Sequence, residues 1–135
     1  MREPTSHDRQ YAWYRGACRG DFSGGHGNPD EPECGWFKRK LVRGGPWVPA
    51  RIWLVQEVCP DTGELLADEI MQAEVGGAQA NPELEWSFVR GNPIDEAEFN
   101  YLMALQEWAA EHAPDEPMAN PRQPISWLKV PTPTF

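Results

Sequence analysis

An α+β fold is predicted for this chain, an antiparallel meander of three to four strands packed against a C-terminal amphipathic helix. Three observations predict it. Residues 35–42 and 47–58 are rich in aromatic and β-branched side chains and are separated by Arg43-Gly44-Gly45-Pro46, which reads as two strands joined by a turn. A third such run, 65–75, ends at Gly76-Gly77, a second tight turn leading into Ala78-Gln79-Ala80. Asp95-Glu96-Ala97-Glu98 is a capping box that opens a helical stripe. These strands are also compatible with an SH3-like small barrel. Residues 1–34 read as a short helix and a flexible Gly-rich loop, and 35–135 as a single α+β domain with an irregular Pro-rich C-terminal strap.

Taken in order, residues 1–8 carry no apolar run and read as disordered. Residues 9–19 place Tyr11, Tyr14 and Cys18 at helical spacing, with Trp13 and Ala17 beside them. Gly20 to Pro32 holds four Gly and two Pro and reads as a mobile loop. Within the second strand Pro49 lacks a ladder donor, which suits an edge or a bulge. Cys59-Pro60-Asp61-Thr62-Gly63-Glu64 has turn chemistry, with Pro fixing φ early and Gly accepting a positive φ at the exit. Asn81-Pro82 looks like an N-cap followed by proline at the first helical position, opening a helix that runs to Phe88 or Val89. In the last helix the Asp95 carboxylate is expected to bond the Glu98 amide and Glu98 to return to Asp95, with Ile94 and Phe99 as a hydrophobic staple. Phe99, Leu102, Met103 and Gln106 continue one stripe, which Tyr101, Leu105 and Trp108 widen. Pro114 stops the helix. Six prolines from there onward forbid regular structure. Ile125, Trp127, Leu128, Val130 and Phe135 nonetheless suggest that the strap packs on the core or on a second copy.

Composition narrows the class. A chain of 135 residues, 40% hydrophobic, can build a core without disulfide staples. Cys18, Cys34 and Cys59 are odd in number and irregularly spaced, unlike a secreted disulfide framework. No apolar run reaches the ~20 residues needed to span a bilayer, and the N-terminus does not read as a signal peptide. The expectation is a cytoplasmic protein. The net charge of −9 is uneven. Residues 1–58 carry nine Lys/Arg and seven Asp/Glu, whereas 59–135 carry three and fourteen. That asymmetry predicts a bipolar surface whose acidic half suits a basic partner. Asp68, Glu69, Glu74, Glu83 and Glu85 are its candidate contacts.

The basic candidates lie in one stretch. Residues 35–53 hold three of the seven Trp and five of the twelve Lys/Arg. Strand alternation sends Phe37 and Leu41 one way and Trp36, Lys38 and Lys40 the other. Ile52 and Leu54 share one face, Arg51 and Trp53 the opposite one. If the apolar set faces the last helix, then Trp36, Lys38, Lys40, Arg51 and Trp53 form an outer surface, with Arg43 and Trp47 at its end. Cations among aromatics suit phosphates and stacked bases, and equally an acidic protein partner with aromatic anchors. Ile70, Gln72 and Glu74 fall on the same face, so Glu74 is placed to pair with Arg51 or a lysine.

Other motifs carry less. Cys18, His26, Cys34 and Cys59 lack metal-ligand spacing, and Asp61, Glu64, Asp68 and Glu69 lack the pattern of a calcium loop. Gly24-Gly25-His26-Gly27 is too short for a phosphate cradle. The tripeptide Arg19-Gly20-Asp21 and the PxxP match in Pro121-Arg122-Gln123-Pro124 are chance-level signals. No cofactor, metal or catalytic residue is expected.

Gly35-Trp36-Phe37-Lys38-Arg39-Lys40, Gly44-Gly45-Pro46-Trp47-Val48-Pro49, Ile52-Trp53, Gly91-Asn92-Pro93-Ile94-Asp95-Glu96-Ala97-Glu98-Phe99 and Ala119-Asn120-Pro121-Arg122 resemble a pattern in small proteins of tailed phages and prophages, mostly alphaproteobacterial. The resemblance covers residues 35–135 and brings no catalytic residues. It implies a phage-encoded protein acting in the bacterial cytoplasm. The function expected from that setting is non-enzymatic inhibition of a host defence complex by protein–protein contact, as anti-CRISPR proteins do. A nucleic-acid-binding accessory factor in phage replication or recombination is the alternative. A structural phage protein comes third.

Overall fold

The computed structural model describes residues 3–23, 30–115 and 119. Its elements run α1 (His7–Gln10), α2 (Ala12–Cys18), β1 (Gly35–Lys40), β2 (Trp47–Val55), β3 (Ile70–Val75), β4 (Ala78–Ala80), α3 (Pro82–Val89) and α4 (Glu96–His112). The four strands form one antiparallel sheet in the order β1-β2-β3-β4. This is the α+β meander the turn residues predict. The sheet is open, with β1 and β4 at its two edges, and does not close into a small barrel. The Pro-rich strap and His26 lie outside the described residues.

The turns explain the sheet. Gly76 and Gly77 take φ of 61° and 85°, the pair of positive values that a two-residue type I′ hairpin needs, so Val75 and Ala78 pair directly. Gly63, at φ 73°, ends the loop that Cys59 and Glu64 close with a 2.8 Å backbone bond. Residues 65–69, predicted as strand, contribute only the Val58–Leu65 bridge. Regular pairing starts at Ile70, where Val55 comes into register.

Register divides the side chains into two faces. Phe37, Ala50 and Val75 are neighbours across three strands, and the next row in the same direction is Trp36, Arg51 and Glu74. The first row belongs to the core, where Phe37, Val48, Ile52 and Val89 are almost completely buried. The second belongs to the opposite, cationic and aromatic face.

Both faces are covered, and not by the expected partners. The apolar face receives α2 and α3. The Trp13 and Trp86 rings meet at 4.9 Å and reach Phe37 at 6.0 and 5.8 Å. Residues 9–19 therefore bury Trp13 and Ala17 in the core, while Cys18 is exposed. Of the predicted stripe, Tyr11 is buried and Tyr14 packs against the core, whereas Cys18 turns outward, and the segment breaks at Tyr11 into two short helices.

The last helix packs on the other face. From α3 the chain passes along the outer edge of β1, where Lys38 N donates to the Asn92 carbonyl and Ile94 N to the Trp36 carbonyl. It then enters α4 on the cationic side. Asp95 caps α4 by accepting from the Glu98 amide at 2.7 Å, as predicted. The reciprocal half of the predicted capping box does not form: the Glu98 carboxylate pairs with Lys38, at 3.3 Å, rather than returning to Asp95. Farther along, Gln106 Nε2 donates to the Gly76 carbonyl at 2.8 Å. The inference that Phe37, Leu41, Ile52 and Leu54 lie beneath the capped helix is thus corrected. Alternation sorts side chains into faces but does not say which helix takes which face.

Candidate contact surface

On the cationic face Tyr11, Trp36, Arg51 and Trp53 form one continuous stack. Tyr11 lies parallel to Trp36 at 5.1 Å, and the Arg51 guanidinium lies 5.5 Å from Trp36 and 5.2 Å from Trp53. His7 extends the stack beyond Tyr11, at 4.6 Å. Rings present a negative face to the cation between them, and each such contact contributes about 0.5–2 kcal/mol as water is excluded. Arg51 Nε is buried without a hydrogen-bond partner, so the indoles meet its charge. Burial pushes the Tyr11 phenol above its usual pKa, and the neighbouring Arg51 pulls it the other way. His7 and Tyr11 were missed as members of this face. They come from the α1–α2 segment, well before β1 in sequence, and only the Tyr11 spacing hinted at burial.

A second cluster lies at the start of β2. The Lys38 and Lys40 ammonium groups sit over the Trp47 ring, at 4.8 and 4.9 Å. Lys38 is also paired with Glu98. Lys40, Arg43 and Trp47 are exposed, Trp47 at 38%. The seven basic-aromatic candidates therefore share a face and its adjoining turn, and these three are its exposed members, the other four being half-buried. Glu74 is Arg51's cross-strand neighbour, yet among the described residues no ion pair joins them.

The acidic candidates do not form one surface. Glu85 pairs with Arg39, which shares the apolar face with Phe37, and both side chains are largely buried. Arg39 also lies 4.0 Å from the Phe88 ring centroid. Glu85 is thus a structural residue, and alternation could not reveal a partner 46 positions away. Glu69 accepts from Thr5 Oγ1 at 3.1 Å and from Gln56 Nε2 at 2.7 Å, tying the base of the β2–β3 hairpin to the N-terminal segment. Glu83 is exposed in the first turn of α3, where its amide donates to the Asn81 cap. Asp68 is exposed on the β2–β3 hairpin.

Among the described residues no three His, Cys, Asp or Glu gather in a metal-binding arrangement. Cys34 is buried and its thiol is pushed up to about 12 by desolvation. Hydrogen bonds from Thr62 hold the Cys59 thiol below its usual value. No helix among the described residues is long and apolar enough to cross a membrane. Comparison with protein-family models, curated proteins and solved structures finds no match to this chain.

Proposed function

We propose that this chain is a non-enzymatic binding protein that docks a larger protein complex. The resemblance of motifs in residues 35–135 to small phage proteins is what suggests a bacterial defence complex as the target and inhibition as the outcome. The observation that carries the binding reading is Trp47, contacted by two lysine ammonium groups and still 38% exposed. An indole fixed in place by its neighbours loses little side-chain freedom on docking and makes a strong anchor.

The same geometry weighs against a nucleic-acid track. Arg51 and Lys38 are engaged within the fold, leaving Lys40 and Arg43 on a chain of net charge −9. Salt-sensitive nucleic-acid binding draws on many phosphate contacts. The test is affinity capture from a host lysate with and without nuclease. One protein complex should be retained after nuclease treatment by the wild type and lost by the Lys40→Glu/Trp47→Ala double variant. Capture that disappears with nuclease, or retention of DNA at low salt, would instead favour the accessory-factor reading.

A further inference from the structure

The ribbon joining β2 to β3 carries apolar side chains that the fold leaves open. β1 pairs with β2 only as far as Ile52, and β4 with β3 only from Ala73 onward. Residues 53–72 therefore continue as a two-stranded arm. Val55 and Ile70 are cross-strand neighbours on the Arg51–Trp53 face, 40% and 56% exposed. Val58 and Leu66 follow beside the Val58–Leu65 bridge, 41% and 65% exposed. The bonds of Gln56 and Thr5 to Glu69 hold the base of the arm, so these side chains are presented on a fixed element.

Charge says what would cover them. Residues 56–69 contain five carboxylates and no Lys or Arg. Glu57, Asp61 and Asp68 are exposed, and among the described residues no basic side chain pairs with them. Phosphates would be repelled. A second copy of the arm would bring like charges together. We propose that this arm docks a basic protein surface of the kind that otherwise holds phosphate. Val55, Leu66 and Ile70 contact its apolar side chains, and Glu57, Asp61 and Asp68 meet the surrounding Lys and Arg. Complementary charge of this kind sets specificity and association rate, while apolar contact supplies the affinity.

The inference rests on the binding-protein reading but not on Trp47. Its probe is a synthetic peptide in which Arg and Leu alternate, titrated calorimetrically into the full chain at physiological salt. Circular dichroism checks the fold of each variant. Asp61→Lys/Asp68→Lys should weaken binding about tenfold or more, as should Val55→Ser/Ile70→Ser, the size expected for central contacts. Glu107→Lys/Glu111→Lys, an equal charge change at exposed positions of α4, should leave binding within about twofold, as expected for charges remote from the contact. Equal loss from both charge reversals would reduce the effect to bulk attraction and overturn the proposal. So would binding indifferent to the hairpin variants, or an arm-dependent dimer in sedimentation. Lys40→Glu/Trp47→Ala should not alter the titration, so the Trp47 surface and the arm can fail separately.

Discussion

The two ends of β2 lie roughly 26 Å apart, at about 3.3 Å per residue, and they handle charge in opposite ways. Around Trp47 the chain supplies partners for its own cations: Glu98 for Lys38, an indole for Lys38 and Lys40, and two indoles for Arg51 farther along. In the arm beyond Val55, exposed carboxylates stand beside exposed apolar side chains, and among the described residues no cation pairs with Glu57, Asp61 or Asp68. Density of charge in a sequence is therefore a poor guide to which charges a fold leaves unengaged. The most conspicuous basic stretch is largely consumed in holding the fold, whereas the less conspicuous acidic ribbon is not.

Substitutions sharpen the contrast, and the largest effect is expected where a charge is most enclosed. Glu85→Ala removes the partner of the largely buried Arg39 and should cost about 3 kcal/mol in urea unfolding. A loss below about 1 kcal/mol, typical of an exposed pair, would return Glu85 to the surface. Arg51→Ala should cost about 2 kcal/mol, from two cation–ring contacts and the packing of its stem. The same variant should redshift tryptophan emission as Trp36 and Trp53 gain water. Unchanged stability and emission would show that the stack contributes nothing. At the other end, Asp61→Lys/Asp68→Lys should shift unfolding by no more than about 0.5 kcal/mol. A larger loss would mean that these carboxylates serve the fold.

The smallest perturbation is chemical labelling. Alkylation of the native protein at mildly alkaline pH should modify Cys59 on the arm and leave Cys34, beside β1, intact until unfolding. Thiolate is the reactive form, and burial holds Cys34 as the thiol. Peptide mapping reads the order, and early modification of Cys34 would contradict its enclosure.

Much of the fold was legible because its punctuation is local. Gly76-Gly77, the Cys59–Glu64 turn, the Asn81 cap with Pro82, and Asp95 each act within a few residues, and each holds as predicted. The faces of β1 and β2 were also legible, since alternation is a property of single strands. What covers each face was not. Trp13 and Trp86 meet Phe37 from opposite sides of the sequence, and Arg39 reaches Glu85 across 46 positions. No periodicity encodes such pairings. The candidate site was legible as a list of residues and illegible as a surface, because His7, Tyr11 and Glu98 arrive from elsewhere to occupy it.

The strip from Asn92 to Ile94 along β1 has a consequence for how the chain is made. Until residue 94 has left the ribosome, β1 presents an unprotected strand edge, and the cationic face lacks the helix that closes it. An uncovered edge is a template for pairing with other chains, and a nascent domain in that state is prone to misassembly. Translation arrested between the sheet and Pro93 should release a sticky fragment, whereas arrest after α4 should release one whose β1 edge is covered. In this molecule a short link between two helices serves as the guard of the edge.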